Sequence, residues 1–144
     1  MPIKATFIIP PSFDGKVPAD RSAGCTRVVY PVPNIYELQS AAVLEQVGVS
    51  VRYFDFSGNS KREYCDFVEN DDSDCYLLWV VNLSIKTDLE AIRHILTKRH
   101  VKYVLLLGPG ATYFSDKCAI DEKVIVVRGE PENTLYELFS LINE

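Results

Sequence analysis

The 144-residue chain is 47% apolar and 24% charged, the make-up of one globular domain rather than of a disordered, collagenous or coiled-coil segment. Its 15 basic and 20 acidic residues leave a net charge of −5, which argues against a nucleic-acid binder that works by neutralising phosphates. No apolar run nears the ~18 residues that span a bilayer, and the opening Met1-Pro2-Ile3-Lys4-Ala5-Thr6 lacks the apolar region of a secretory signal. A soluble cytoplasmic protein that binds neither nucleic acid nor membrane is expected.

Ala5 to Ile9 is a near-continuous apolar run, the signature of a strand covered on both faces. A helix from Asn34 to Val47 stops at Gly48, a natural residue to follow a helix end. Val49 to Phe54 reads as the second strand. Ser60-Lys61-Arg62-Glu63 is a capping box, opening a helix that puts Tyr64, Phe67 and Val68 on one face. Cys75 to Val81 is the third strand. Ile85, Leu89, Ile92 and Leu96 form one stripe on the helix after it. Lys102 to Leu107 is the fourth strand, a short weak helix follows around Tyr113 to Lys117, and Lys123 to Val127 is the fifth strand. The last helix starts at Glu130-Pro131, with proline in the favoured first turn, and buries Leu135, Leu138, Phe139 and Ile142.

Strands alternating with helices predict an α/β fold: a flavodoxin-like, Rossmann-like, doubly wound five-stranded parallel sheet of order 2-1-3-4-5 in a three-layer α/β/α sandwich. The whole chain, residues 1–144, is one domain in this reading. Right-handed crossovers place every strand's C-terminal end on one edge, where such sheets bind ligands. The strand-to-helix loops are therefore the segments to read.

The first loop is unusual. The 24 residues from Pro10 to Pro33 hold five prolines and two glycines, longer than an ordinary connector and typical of a lid or binding loop. Its start, Pro11-Ser12-Phe13, is a candidate contact segment, and its apolar side chains need something to pack on. Asp55, after the second strand, suits a ribose hydroxyl or a cap on the next turn. Asn82, Leu83 and Ser84 follow the third strand, where amide and hydroxyl groups suit a flat polar ligand, although Ser84 equally suits a helix N-cap. Gly108-Pro109-Gly110-Ala111-Thr112 leaves space over the fourth strand for close approach of a ligand or of backbone. Gly129, Glu130 and Glu132 surround the start of the last helix.

Several chemistries are excluded. The chain has no GxGxxG and no GxxxxGK[ST]. Pro10-Pro11 stands where a phosphoacceptor receiver needs paired acids and where a flavodoxin needs a Ser/Thr-rich phosphate loop. His94 and His100 have no neighbouring nucleophile in sequence and are read as structural, so no catalytic residue is assigned. Cys25, Cys65, Cys75 and Cys118 are spaced 40, 10 and 43 apart, which fits reduced thiols and no metal knuckle.

Taken together, Pro10-Pro11-Ser12, the long loop, the alanine-rich Leu38-to-Gly48 helix, Asp55, Gly108-Pro109-Gly110-Ala111-Thr112 and Arg128-Gly129-Glu130-Pro131-Glu132-Asn133-Thr134-Leu135 resemble the N-terminal cobalamin-binding domain of radical S-adenosylmethionine enzymes. The anaerobic magnesium-protoporphyrin IX monomethyl ester cyclases and related methyltransferases belong to that family. The resemblance implies vitamin B12 as the bound, metal-containing cofactor, held by the loop residues named above, with its tail in a groove between the first and third strands. The chain has no histidine before His94, so it is similar to members that leave the lower face of cobalamin without a protein histidine. The CxxxCxxC of a [4Fe–4S] cluster is also absent. Cluster and S-adenosylmethionine are thus expected in a C-terminal radical domain that this chain lacks. The alternative is a flavodoxin-like scaffold that binds no corrinoid, and a small-nucleotide binder is a third reading.

Overall fold

The apolar runs pair into one sheet. The computed structural model describes residues 1–14 and 34–143, in the order β1 (Lys4–Ile9), α1 (Ile35–Gln46), β2 (Ser50–Asp55), α2 (Lys61–Asn70), β3 (Cys75–Trp79), α3 (Ile85–Leu96), β4 (Tyr103–Leu107), α4 (Gly108–Tyr113), α5 (Ser115–Cys118), β5 (Val124–Val126) and α6 (Pro131–Asn143). All neighbouring strands are parallel, in the order β2-β1-β3-β4-β5. This is the flavodoxin-like α/β sheet expected from the sequence. The lid expectation for the first loop, and Cys25 with it, falls on residues 15–33, outside the described residues.

Alternation along the strands divides the core in two. Ile8, Tyr76, Leu78, Val80, Val104 and Leu106 meet Tyr64 and Val68 of α2 and Ala91, Ile92 and Ile95 of α3. Phe7, Leu77, Leu105 and Leu107 meet Leu44 of α1 and Leu135 and Phe139 of α6 on the other face. The Ser60 capping box is formed, with its hydroxyl accepting from the Glu63 amide and the Glu63 carboxylate accepting from the Ser60 amide.

The N-terminal edge of the sheet is closed by charge. Arg52 Nη2 donates to Asp71 Oδ1 at 2.6 Å and to Ser73 Oγ at 2.8 Å, while the Tyr76 hydroxyl donates to Asp71 Oδ2 at 2.6 Å. Lys4 pairs with Asp72, and Lys102 with Asp74. A cavity of about 290 Å³ lies at this edge, between Met1, Ile3 and those ion pairs.

Two boundaries differ from the sequence reading in a way that matters. The third strand ends at Trp79 rather than Val81, because the Val80 carbonyl accepts from the Gly110 amide at 2.8 Å and draws the chain out of the sheet. The fourth loop, read as open, is helical from its first glycine, and the weak helix around Tyr113 becomes the two short helices α4 and α5.

Candidate functional site

Five parallel strands put five chain exits on one edge, with the switch in direction between β1 and β3. Ile35, Tyr36, Leu38, Leu83 and Tyr113, five of the eight exposed large apolar side chains among the described residues, lie on segments leaving this edge. Leu83 and Tyr113 are the most open of these, at 75% and 77% exposure.

The loop residues singled out in the sequence serve partly local ends. Phe13 packs edge-on against Tyr64, with ring centroids 5.6 Å apart and Lys61 Nζ 4.6 Å over its ring, so the start of the first loop docks on α2. Pro11 is buried beside it and the Ser12 hydroxyl donates to Asp14. Asp55 accepts from the Ser57 amide at 2.8 Å, the turn-capping role. The Ser84 hydroxyl makes no backbone cap and donates instead to Oδ2 of buried Asp88 at 2.7 Å. Asn82, Leu83, Pro109, Gly129 and Glu130 are exposed at the rim, and Glu132 is half-buried. Thr112 Oγ1 donates to the Gly108 carbonyl and accepts from the Gly129 amide, both at 3.0 Å, which ties the fourth loop to the fifth.

Of the two neighbours the sequence allows the glycines of the fourth loop, a ligand or the chain's own backbone, the described residues supply the second. A Cβ on Gly108 would lie 2.8 Å from Cε2 of Trp79 and 3.0 Å from the Val80 carbonyl, and one on Gly110 would lie 2.8 Å from Val80 Cγ1 and from that carbonyl. The space over β4, and that beside buried Ala111, is taken by the chain itself. Trp79 is held there by a flat stack on Tyr36, with centroids 5.3 Å and planes 7° apart. Neither aromatic stood out in the sequence. The usable signal was the chain's single tryptophan, close to the end of the third strand.

Beside this stack, α1 turns polar groups inward. Glu37 and Ser40 are fully buried, and the Tyr53 hydroxyl donates to Glu37 Oε2 at 2.9 Å. Burial, and next the Glu37 charge, push the Tyr53 phenol well above its ordinary value. Asn34 caps α1 by accepting from the Tyr36 amide, but its buried Nδ2 and the Ser40 hydroxyl find no partner among the described residues.

The histidines lie elsewhere. His94 faces Glu69 and the Tyr64 ring between α2 and α3, and His100 is exposed beyond α3. No group of His, Cys, Asp and Glu among the described residues could hold a metal ion. Burial pushes the Cys75 thiol up to about 12 and raises Cys65 and Cys118 too, so all three are poor nucleophiles. No described helix is long and apolar enough to cross a membrane.

A corrinoid is a broad ring edged with amides and carries a nucleotide tail. The rim carries exposed apolar faces and the exposed Asn82. The recess over β4 is occupied by Trp79 and Val80.

No family model matches the sequence, and no curated protein matches it. Solved structures do, two of one enzyme among them. One is the radical S-adenosylmethionine methyltransferase TsrM from Kitasatospora setae with tryptophan substrate and a SAM analogue bound, 16% identical over 97% of this chain and 26% of that one, with a TM-score of 0.68. The other is the same enzyme with cobalamin and a [4Fe–4S] cluster bound, 16% identical over 99% and 25%, with a TM-score of 0.69. The chain thus has the fold of one part of that enzyme and spans about a quarter of its length.

Proposed function

We propose that the chain is a cobalamin-binding module of a radical S-adenosylmethionine enzyme, of the methyltransferase or the magnesium-protoporphyrin oxidative-cyclase kind. The corrinoid rests on the C-terminal edge of the sheet. One observation carries the reading: nearly the whole chain overlays on a quarter of a radical enzyme solved with cobalamin. The apolar rim, which a fold serving only as a spacer has no need to expose, supports it.

In this reading Tyr36, Leu38, Asn82, Leu83 and Pro109 support the ring, and Glu130 and Glu132 accept from its amides. When bound, cobalamin supplies the group-transfer chemistry. The [4Fe–4S] cluster and S-adenosylmethionine belong to a partner radical domain outside residues 1–144, and no catalytic residue is assigned here. The rival reading, a scaffold that binds no corrinoid, is favoured by the filled recess over β4.

Mixing the chain with hydroxocobalamin, desalting and recording the visible spectrum separates the two. Retained corrinoid absorbance at one equivalent is expected. A colourless protein fraction would leave the scaffold reading standing.

A further inference from the structure

We infer that Trp79 determines which part of a corrinoid this edge accepts: it takes the ring and refuses the nucleotide tail. The inference rests on the proposed corrinoid-binding function and narrows it.

Space and hydrogen bonds at the ends of β3 and β4 are both already taken. A tail inserted between the ends of β3 and β4 needs an empty slot there. Gly108 and Gly110 create such a slot by having no side chains. The fused edge of the Trp79 indole fills the first position to within 2.8 Å of where a Cβ would be, and the Val80 backbone fills the second. The Gly110 amide is used by the Val80 carbonyl, and the Thr112 hydroxyl both donates and accepts within the loops. The loop therefore presents no room at its two glycines, and its Gly110 amide and Thr112 hydroxyl are already engaged. The indole is not loosely placed, because its stack on Tyr36 joins α1 to β3, and aromatic pairs of this kind add to what burial alone provides. What stays open is the rim, where Asn82 and Leu83 are exposed.

The test compares hydroxocobalamin with aquacobinamide, the same corrin without the nucleotide tail, by titration of the full chain. A tail bound in a groove would strengthen binding by well over tenfold, since removing about 60 Å² of apolar surface from water is worth about one decade of affinity. The wild-type chain is expected to bind both with Kd values within about threefold of each other. Trp79→Ala, checked for folding by circular dichroism, opens the slot and is expected to favour cobalamin over cobinamide by about tenfold or more. If that variant does not fold, Trp79→Leu takes its place with the same expectation.

A wild-type chain preferring cobalamin by more than tenfold overturns the inference and leaves the proposed function intact. Equal binding of both corrinoids by the wild type and by a folded, opened variant removes Trp79 as the discriminating group. If neither corrinoid binds any variant, the proposed function itself fails, and the inference falls with it.

Discussion

The Tyr53 hydroxyl donates to the carboxylate of Glu37 at 2.9 Å, joining the outermost strand to the helix that covers it. Glu37 has no exposed surface, so the bond replaces solvation that this acid loses on folding. Removing a partner from a buried charged acceptor costs about 1–3 kcal/mol. Tyr53→Phe keeps the ring and its stack on Phe7, and should lower unfolding free energy by that amount in urea titrations. A loss below about 0.5 kcal/mol, the ordinary size of a surface substitution, would show that the bond is not maintained.

Alkaline pH should weaken the fold before it changes anything at the surface. Tyr53 and Tyr76 are both raised, first by burial and then by the neighbouring Glu37 and Asp71, and Cys75 is pushed up to about 12 by burial. In the unfolded chain these groups ionise near 8.5 for cysteine and 10 for tyrosine. The folded state then holds more protons than the unfolded one, and stability falls as pH rises. The urea midpoint should be level up to about pH 8 and decline toward pH 12. A midpoint unchanged to pH 11 would contradict the buried environment assigned to these groups.

Acid should act at the opposite edge of the sheet. Burial alone would raise the Asp71 carboxyl, but hydrogen bonds from Tyr76 and Ser73 and the charge of Arg52 outweigh it and hold the group below its ordinary value. Its contribution is present above the unfolded value near 3.9 and lost as pH falls through the lower folded value. Asp71→Asn should cost about 1.5–3 kcal/mol at neutral pH, the range for hydrogen bonds to a charged group. It should also flatten the stability profile below about pH 4. An unchanged acid slope would transfer the effect to Asp72 and Asp74, which are lowered too.

Gly110 and Gly58 make a matched pair. A Cβ on Gly110 meets Val80 backbone at 2.8 Å, whereas one on Gly58 meets nothing within 4 Å. Alanine gains up to about 1 kcal/mol over glycine inside a helix, but overpacking against backbone costs about 1–3 kcal/mol, so the clash wins. Gly110→Ala should lower the melting temperature by several degrees and Gly58→Ala should leave it nearly unchanged. Equal melting temperatures would mean that the fourth loop is looser than its contacts with β3 imply.

The histidines should be dispensable for any corrinoid bound at the C-terminal edge. α3 leaves that edge at Ile85 and runs away from it at about 1.5 Å per residue, carrying His94 and His100 toward the other end. The His94→Ala, His100→Ala double variant should retain hydroxocobalamin with the parent's visible spectrum. A shifted spectrum in that variant would place a histidine on the cobalt.

Strand and helix positions were legible because burial imposes periods of two and 3.6 on the sequence. Ile85, Leu89, Ile92 and Leu96 mark α3 without ambiguity, and Ser60 with Glu63 marks the start of α2. Legibility failed where side chains face inward for reasons other than hydrophobicity. The inner stripe of α1 is Glu37, Ser40 and Leu44, and no pattern of apolar residues reveals it. Gly108-Pro109-Gly110 was readable as a place of close approach. Which atoms approach depends on where β3 ends, and that is set by a hydrogen bond from Gly110 to Val80 across 30 positions of sequence. Local propensity carries no information about such a contact.

The stack of Trp79 on Tyr36 has an optical consequence. Trp79 is the chain's single tryptophan, so all of the protein's indole emission originates at the edge where the strands end. The intrinsic fluorescence is therefore a label already placed at one known point, with an aromatic neighbour whose departure changes its surroundings. Movement of α1 against β3, solvent entry at the edge, or arrival of a coloured ligand alters that one signal, while the eight tyrosines distributed through the chain supply an internal reference for the fold as a whole.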